Sequence, residues 1–179
     1  MQFVQTAVAG AYIVVSDTAR DARGGFARLY CAQEFQAAGI DFAPVQTNIS
    51  HNSAAGTLRG LHFQRAPHAE AKLVQCVRGR IFDVAVDLRP ESPSYRVAAA
   101  VELVAGTDRS FYVPPGCAHG FLTLEADSDI FYCMGSSHAA GSGSGVRWDD
   151  PAFGIEWPMA PRVISPRDAA YPDFGTSGA

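Results

Sequence analysis

Ile81-Phe82-Asp83-Val84-Ala85-Val86-Asp87-Leu88 alternates strictly: Phe82, Val84, Val86 and Leu88 fall on one face, and Ile81, Asp83, Ala85 and Asp87 on the other. A period of two sustained over eight residues rich in apolar side chains specifies a strand. Residues 72–77 read as a second strand, and Arg78-Gly79-Arg80 between them reads as the turn of a hairpin. Moving outward, residues 11–15, 42–50, 110–113, 117–124 and 130–134 read as strands, as does the alternation of Val97, Ala99, Val101 and Leu103. Glycine- and proline-bearing turns separate them, at residues 21–26, 89–93 and 114–116. Residues 51–56 read as a polar loop and residues 136–145 as a mobile loop of small residues. The best helical spacing, Ala32, Phe35 and Ala38 with Gly39 as a stop, predicts one short helix over 30–39. Many short strands without βα alternation predict an all-β antiparallel sandwich or barrel with short peripheral helices. From Arg147 prolines recur without a period, which predicts a segment that wraps the body, frayed at 176–179.

A chain of 179 residues is simplest as one domain. Its charged fraction, 18%, is low enough to point to surface buried in an oligomer. A net charge of −4 argues against non-specific nucleic-acid binding, which needs a basic face, but leaves room for a few arginines around an anionic ligand. Cys31, Cys76, Cys117 and Cys133 are too scattered for a zinc ribbon and read as buried free thiols. No leader and no long apolar run is visible, so the expectation is a cytoplasmic protein that does not enter a membrane.

The chemistry concentrates in Thr57-Leu58-Arg59-Gly60-Leu61-His62-Phe63-Gln64 and in Lys72. His119 follows Pro114-Pro115-Gly116-Cys117-Ala118, a Pro-x-Gly-x-x-His spacing similar to the second motif of the cupin superfamily. The metal-binding first motif would need His-x-His and a glutamate, where this chain has His62-Phe63-Gln64, so no metal site is expected. Without a metal, a histidine base, a tyrosine acid and a cation over an oxygen are the groups needed to move a proton next to a ketone. His62, Tyr132 and Lys72 are those three types. Taken singly, each also has an ordinary reading: His62 a satisfied core histidine, Tyr132 core packing, Lys72 a solvated edge charge. Arg59 and His62 differ by three positions, so a regular strand would send them to opposite faces; Gly60 is the natural place for a bulge that reunites them.

The runs 58–64, 71–74 and 79–89, Ser92-Pro93, Val113-Pro114-Pro115-Gly116-Cys117-Ala118-His119-Gly120-Phe121, Arg147-Trp148-Asp149-Asp150-Pro151 and Gly154-Ile155-Glu156-Trp157-Pro158 together resemble the dTDP-4-dehydrorhamnose 3,5-epimerase family, from about residue 3 to about residue 172. The resemblance implies a metal-free, cofactor-free, cupin-like jelly-roll barrel spanning 1–179. It implies a homodimer in which residues 1–50, the N-terminal strands and short helix, are exchanged, and a C-terminal wrap over 147–179. It implies inversion of C3, C5 or both in a 4-keto-6-deoxy nucleotide-diphosphate sugar, within deoxysugar biosynthesis. His62 would be the base and Tyr132 the acid, with Lys72 and His119 at the enolate oxygen. Arg59 would lie near the diphosphate, and Arg23, Phe26, Gln46 and Asn48 would hold the nucleotide. The alternatives are an isomerase of another nucleotide sugar and a non-catalytic or metal-binding cupin. Two positions depart from the family pattern. The carboxylate that pairs with the base falls at Pro166, leaving Asp168 or Asp83 to replace it, and Arg28 stands where a glutamate is usual.

Overall fold

A computed structural model describes residues 1–175; the expectation about 176–179 lies outside the described residues. In chain order its elements are β1 (Gln2–Gln5), β2 (Tyr12–Val15), β3 (Thr18–Asp21), β4 (Gly24–Ala27), α1 (Ala32–Ala37), β5 (Gln46–Asn52), β6 (Thr57–Gln64), β7 (Lys72–Arg78) and β8 (Arg80–Asp87). They continue as β9 (Ala98–Val104), β10 (Arg109–Val113), β11 (Cys117–Thr123), β12 (Ser128–Met134), β13 (Gly143–Gly145), β14 (Val163–Ile164) and α2 (Pro166–Ala169). One sheet runs β1-β2-β10-β7-β12-β5 and the other β13-β6-β11-β8-β9, with β14 parallel to β6. The other pairings are antiparallel, and the sheets face each other as a jelly roll.

Both faces of β8 are covered, and its alternation marks an apolar outer face and an inner face that carries Asp83 and Asp87. Ile81 and Ala85 point into the barrel among Val74, Phe111, Phe121 and Ile130. Val84 and Val86 point outward and are buried under Phe153, Ile155 and Trp157 of the C-terminal segment. That segment wraps the second sheet; α1 and the loop to β5 cover the first with Phe35, Ile40 and Phe42. Asp87, also buried, is gripped by Arg89 through two 2.8 Å bonds and by Ser92 and Ser94, and Arg89 in turn holds the carbonyl of Ala9.

Several expectations change. Strands β7 and β8 are not a hairpin: β7 pairs with β10 and β12, and β8 with β9 and β11. Gly79, at φ +76°, turns the chain from one sheet into the other, and a Cβ there would stand 2.3 Å from Ser128 Oγ. Residues 21–26 are mostly strand, because β3 and β4 pair across Ala22-Arg23. The strand expected at 42–50 begins at Gln46 and runs to Asn52, taking in two residues of the expected loop. The small-residue loop contributes β13, paired to the end of β6. Cys76, Cys117 and Cys133 are buried free thiols, whereas Cys31 is partly exposed.

Candidate active site

The site is organised by a bulge in β6. Arg59 is opposite Phe121 and His62 opposite His119, so Gly60 and Leu61 together face only Gly120. Gly60 has φ +133°, and a Cβ on it would come within 2.6 Å of Gly120 Cα. The extra residue reverses the parity, and Arg59 and His62 line one cavity of about 300 Å³. The same sheet adds His119 and Phe121; the facing sheet adds Asn48 and Ser50 from β5, Lys72 from β7, and Tyr132 and Met134 from β12. A larger hollow of about 600 Å³ beside α1, walled by Tyr30, Gln36, Asp41 and Phe42, has no comparable grouping of base, acid and cation.

His62 Nε2 lies 2.8 Å from Asp168 Oδ1. Asp168 also accepts from the Gly60 N–H at 3.2 Å, and its own N–H donates to Ser165 Oγ, the N-cap of α2. The partner carboxylate is therefore not displaced to Asp83. It stands two residues beyond Pro166, which is the first residue of α2 and turns the chain so that Asp168 faces the bulge. Burial raises the Asp168 carboxyl, but the bonds from His62, Gly60 and Ser165 outweigh it, and the group titrates below the ordinary range. Burial lowers the proton affinity of His62, partly offset by Asp168 and reinforced by Arg167 and Lys72, so the ring is held below its ordinary value. With Nε2–H donated to Asp168, Nδ1 carries the basic lone pair.

Asp83 serves the second histidine. His119 Nε2 lies 2.7 Å from Asp83 Oδ1, and both residues are buried. The Tyr132 ring meets His119 edge-on, with centroids 6.2 Å apart. Burial pushes the Tyr132 phenol well above its usual range, so it carries its proton at neutral pH.

Lys72 is not a solvated edge charge: it is only 6% exposed. Its Nζ is 2.9 Å from Glu70 Oε1 and donates to the carbonyl of His62 at 3.4 Å. Glu70, which the sequence reading passed over, also accepts from Gln64 Nε2 at 2.8 Å. The spacing of Glu70 and Lys72, two apart, was the available signal. Asn52 was also missed: its Oδ1 accepts from Arg59 Nε at 2.7 Å, and its Nδ2 is bonded to the carbonyls of Ser50 and Ser128. Gln46 is beside the cavity, bonded to Asn48 Oδ1 and to the His138 N–H.

Arg23 and Phe26 are elsewhere. They lie on the β3–β4 hairpin, with Phe26 80% exposed and the Arg23 side chain 90% exposed and tied to Asp21. The chain does not bring them to its own cavity. Arg28 pairs with Glu34 near α1. Among the described residues no three His, Cys, Asp or Glu side chains come together as metal ligands.

The chain matches, over residues 5–176, the family model described as dTDP-4-dehydrorhamnose 3,5-epimerase. It is 40% identical over 175 residues to the dTDP-4-dehydrorhamnose 3,5-epimerase of Sinorhizobium fredii, covering 97% of this chain and 90% of that one. The crystal structure of dTDP-4-dehydrorhamnose 3,5-epimerase from Elizabethkingia anophelis superposes with a TM-score of 0.94 at 36% identity, over 99% of this chain and 98% of that one. A dTDP-6-deoxy-D-glucose-3,5-epimerase from Legionella pneumophila, solved in complex with dTDP-4-keto-L-rhamnose, superposes with a TM-score of 0.88 at 34% identity, over 95% of this chain and 90% of that one.

Proposed function

Because this chain belongs to the dTDP-4-dehydrorhamnose 3,5-epimerase family, we propose a division of labour among its own residues for epimerising a dTDP-4-keto-6-deoxy sugar. His62 Nδ1 removes the proton from C3 or C5, the carbons made acidic by the C4 ketone. The electron pair moves into the carbonyl, and the resulting enolate oxygen is met by the Lys72 ammonium and by His119. Tyr132 delivers a proton to the same carbon from the opposite side, and the centre inverts. The observation that carries this reading is that His62 and Tyr132 belong to the two facing sheets and line one cavity from its two walls. Glu70 and Asp83 support the two oxyanion groups, and Asn52 braces Arg59, whose guanidinium fork suits the diphosphate. No cofactor is required, since the ketone supplies the electron sink.

The nucleotide end of the site extends the proposal. Asn48 and Gln46 flank the cavity, while Arg23 and Phe26, exposed on the β3–β4 hairpin, would enter the cavity of a second copy. We therefore read residues 1–179 as one epimerase domain that works as a homodimer, with residues 1–50 exchanged and 147–179 as the wrap. The cytoplasm is the proposed location; among the described residues no helix is long and apolar enough to cross a membrane. The test is incubation with dTDP-4-keto-6-deoxyglucose in D₂O. Deuterium should enter C3, C5 or both, and the carbons labelled report how many centres turn over. A sugar recovered without label would overturn the reading.

A further inference from the structure

The base has a second charged neighbour that the reaction scheme does not use. Arg167 Nη2 approaches His62 Nε2 to 3.3 Å, and Arg167 Nε is 3.6 Å from Asp168 Oδ1. The Nε2 hydrogen is already committed to Asp168 at 2.8 Å, so the guanidinium does not hydrogen-bond to that nitrogen. It is a cation resting against the outer edge of a His–Asp pair, with its head toward solvent at 71% side-chain exposure.

A carboxylate alone is a mixed partner for a base. It fixes the tautomer, but it also favours the imidazolium, and a ring that is already protonated cannot take a proton from carbon. We propose that Arg167 is a positioning residue that shares the charge of Asp168, so that Asp168 orients His62 while the ring stays neutral and able to accept a proton. The role rests on the assignment of His62 as the base. The groups facing His62 are Asp168, Arg167 and Tyr171 from the C-terminal turn, Lys72 from β7, His119 from β11, Tyr132 from β12 and, across the cavity on its own strand, Arg59, which is turned to Asn52. Of these, Asp168 draws a proton onto the ring, whereas Arg167 and Lys72 repel one. Lys72 already has Glu70 as a counter-charge, which leaves Arg167 as the cation directed at the pair. Tyr171 stands on the same side, its ring edge-on to His62 with centroids 6.3 Å apart.

The experiment is an NMR titration of the His62 ring in the full chain without substrate, assigned with H62N, alongside the pH dependence of solvent-deuterium exchange. In R167Q the His62 midpoint and the acid limb of exchange should both move up by about half a pH unit, the scale of an exposed charge contact. Exchange at a pH below the limb should then fall about threefold. R167K should titrate close to wild type. In the wild type, raising the salt should lift the midpoint, because an exposed guanidinium is screened more than a buried carboxylate; this arm stands if R167Q fails to fold. An unmoved or lowered midpoint in R167Q, or a wild-type midpoint indifferent to salt, overturns the proposal. The titration needs no turnover, so loss of the epimerase reading would be visible separately as absent exchange.

Discussion

Replacing Gly120 with alanine tests whether the bulge is what assembles the site. An ideal Cβ at residue 120 stands 2.6 Å from the Arg59 carbonyl oxygen, 2.7 Å from Leu61 Cδ2 and 2.9 Å from Gly60 Cα. Two of the three are backbone atoms of β6, so no side-chain rotation relieves the contact. Strands β6 and β11 must part by roughly 0.5 Å, at a cost of about 1–3 kcal/mol, or about 3–10 °C in Tm for a chain of this size. The displaced backbone carries Arg59 on one side and His62 on the other. A shift of about 1 Å in a catalytic group costs on the order of a hundredfold, so the exchange rate should drop about tenfold or more even where the variant is fully folded. Gly143→Ala is the control, since a Cβ there meets nothing within 4 Å; its stability should stay within about 0.5 kcal/mol of wild type. Thermal unfolding and deuterium exchange below the midpoint read both effects. An alanine variant with wild-type Tm and wild-type exchange would show that the glycine pair does not set the spacing of Arg59 and His62.

Tyr132→Phe removes the proposed proton donor and leaves the proposed base: deuterium should still exchange into the substrate, while net inversion falls by about 10²–10⁴-fold, measured by separating the epimers; inversion at the wild-type rate would assign the acid to another residue. Asp87→Asn should cost about 3 kcal/mol in denaturant unfolding, because it strips a buried carboxylate from Arg89, Ser92 and Ser94. The pH dependence follows the same pair. Burial acts against the Asp87 charge, but Arg89, Ser92 and Ser94 outweigh it and hold the carboxyl well below the carboxylate range. Its contribution to stability is therefore complete above the unfolded value near 4 and is lost as the pH falls toward the folded one; Asp87→Asn should flatten that slope.

The strand at 81–88 could be read from sequence because its outer face, Phe82, Val84, Val86 and Leu88, is wholly apolar under the C-terminal segment while Asp83 and Asp87 mark the other face. Its partner could not. Arg78-Gly79-Arg80 turns a chain back on itself or into a facing sheet with the same residues, and only the strands that arrive later, β9 and β11, decide between them. The bulge at Gly60 was legible as a need, since Arg59 and His62 had the wrong parity for one pocket. The carboxylate on His62 was located two residues early. A four-residue helix has no period to detect, but its start was written in Ser165-Pro166, a cap followed by a proline at the first helical position. The pairing of His119 with Asp83 depends on the register of β11 against β8, which no local pattern contains.

The joint between α2 and β6 also has a meaning in time. Asp168 reaches His62 across 106 positions of sequence, carried by a stretch that docks beside β6 through the two residues of β14 and the bond from the Gly60 N–H. Ribosomes deliver that stretch after both sheets of the barrel. A chain interrupted before residue 168, or clipped there afterwards, would lack the carboxylate that meets His62. On the proposed mechanism, the carboxylate beside the base is thus the last of the catalytic groups to be synthesised.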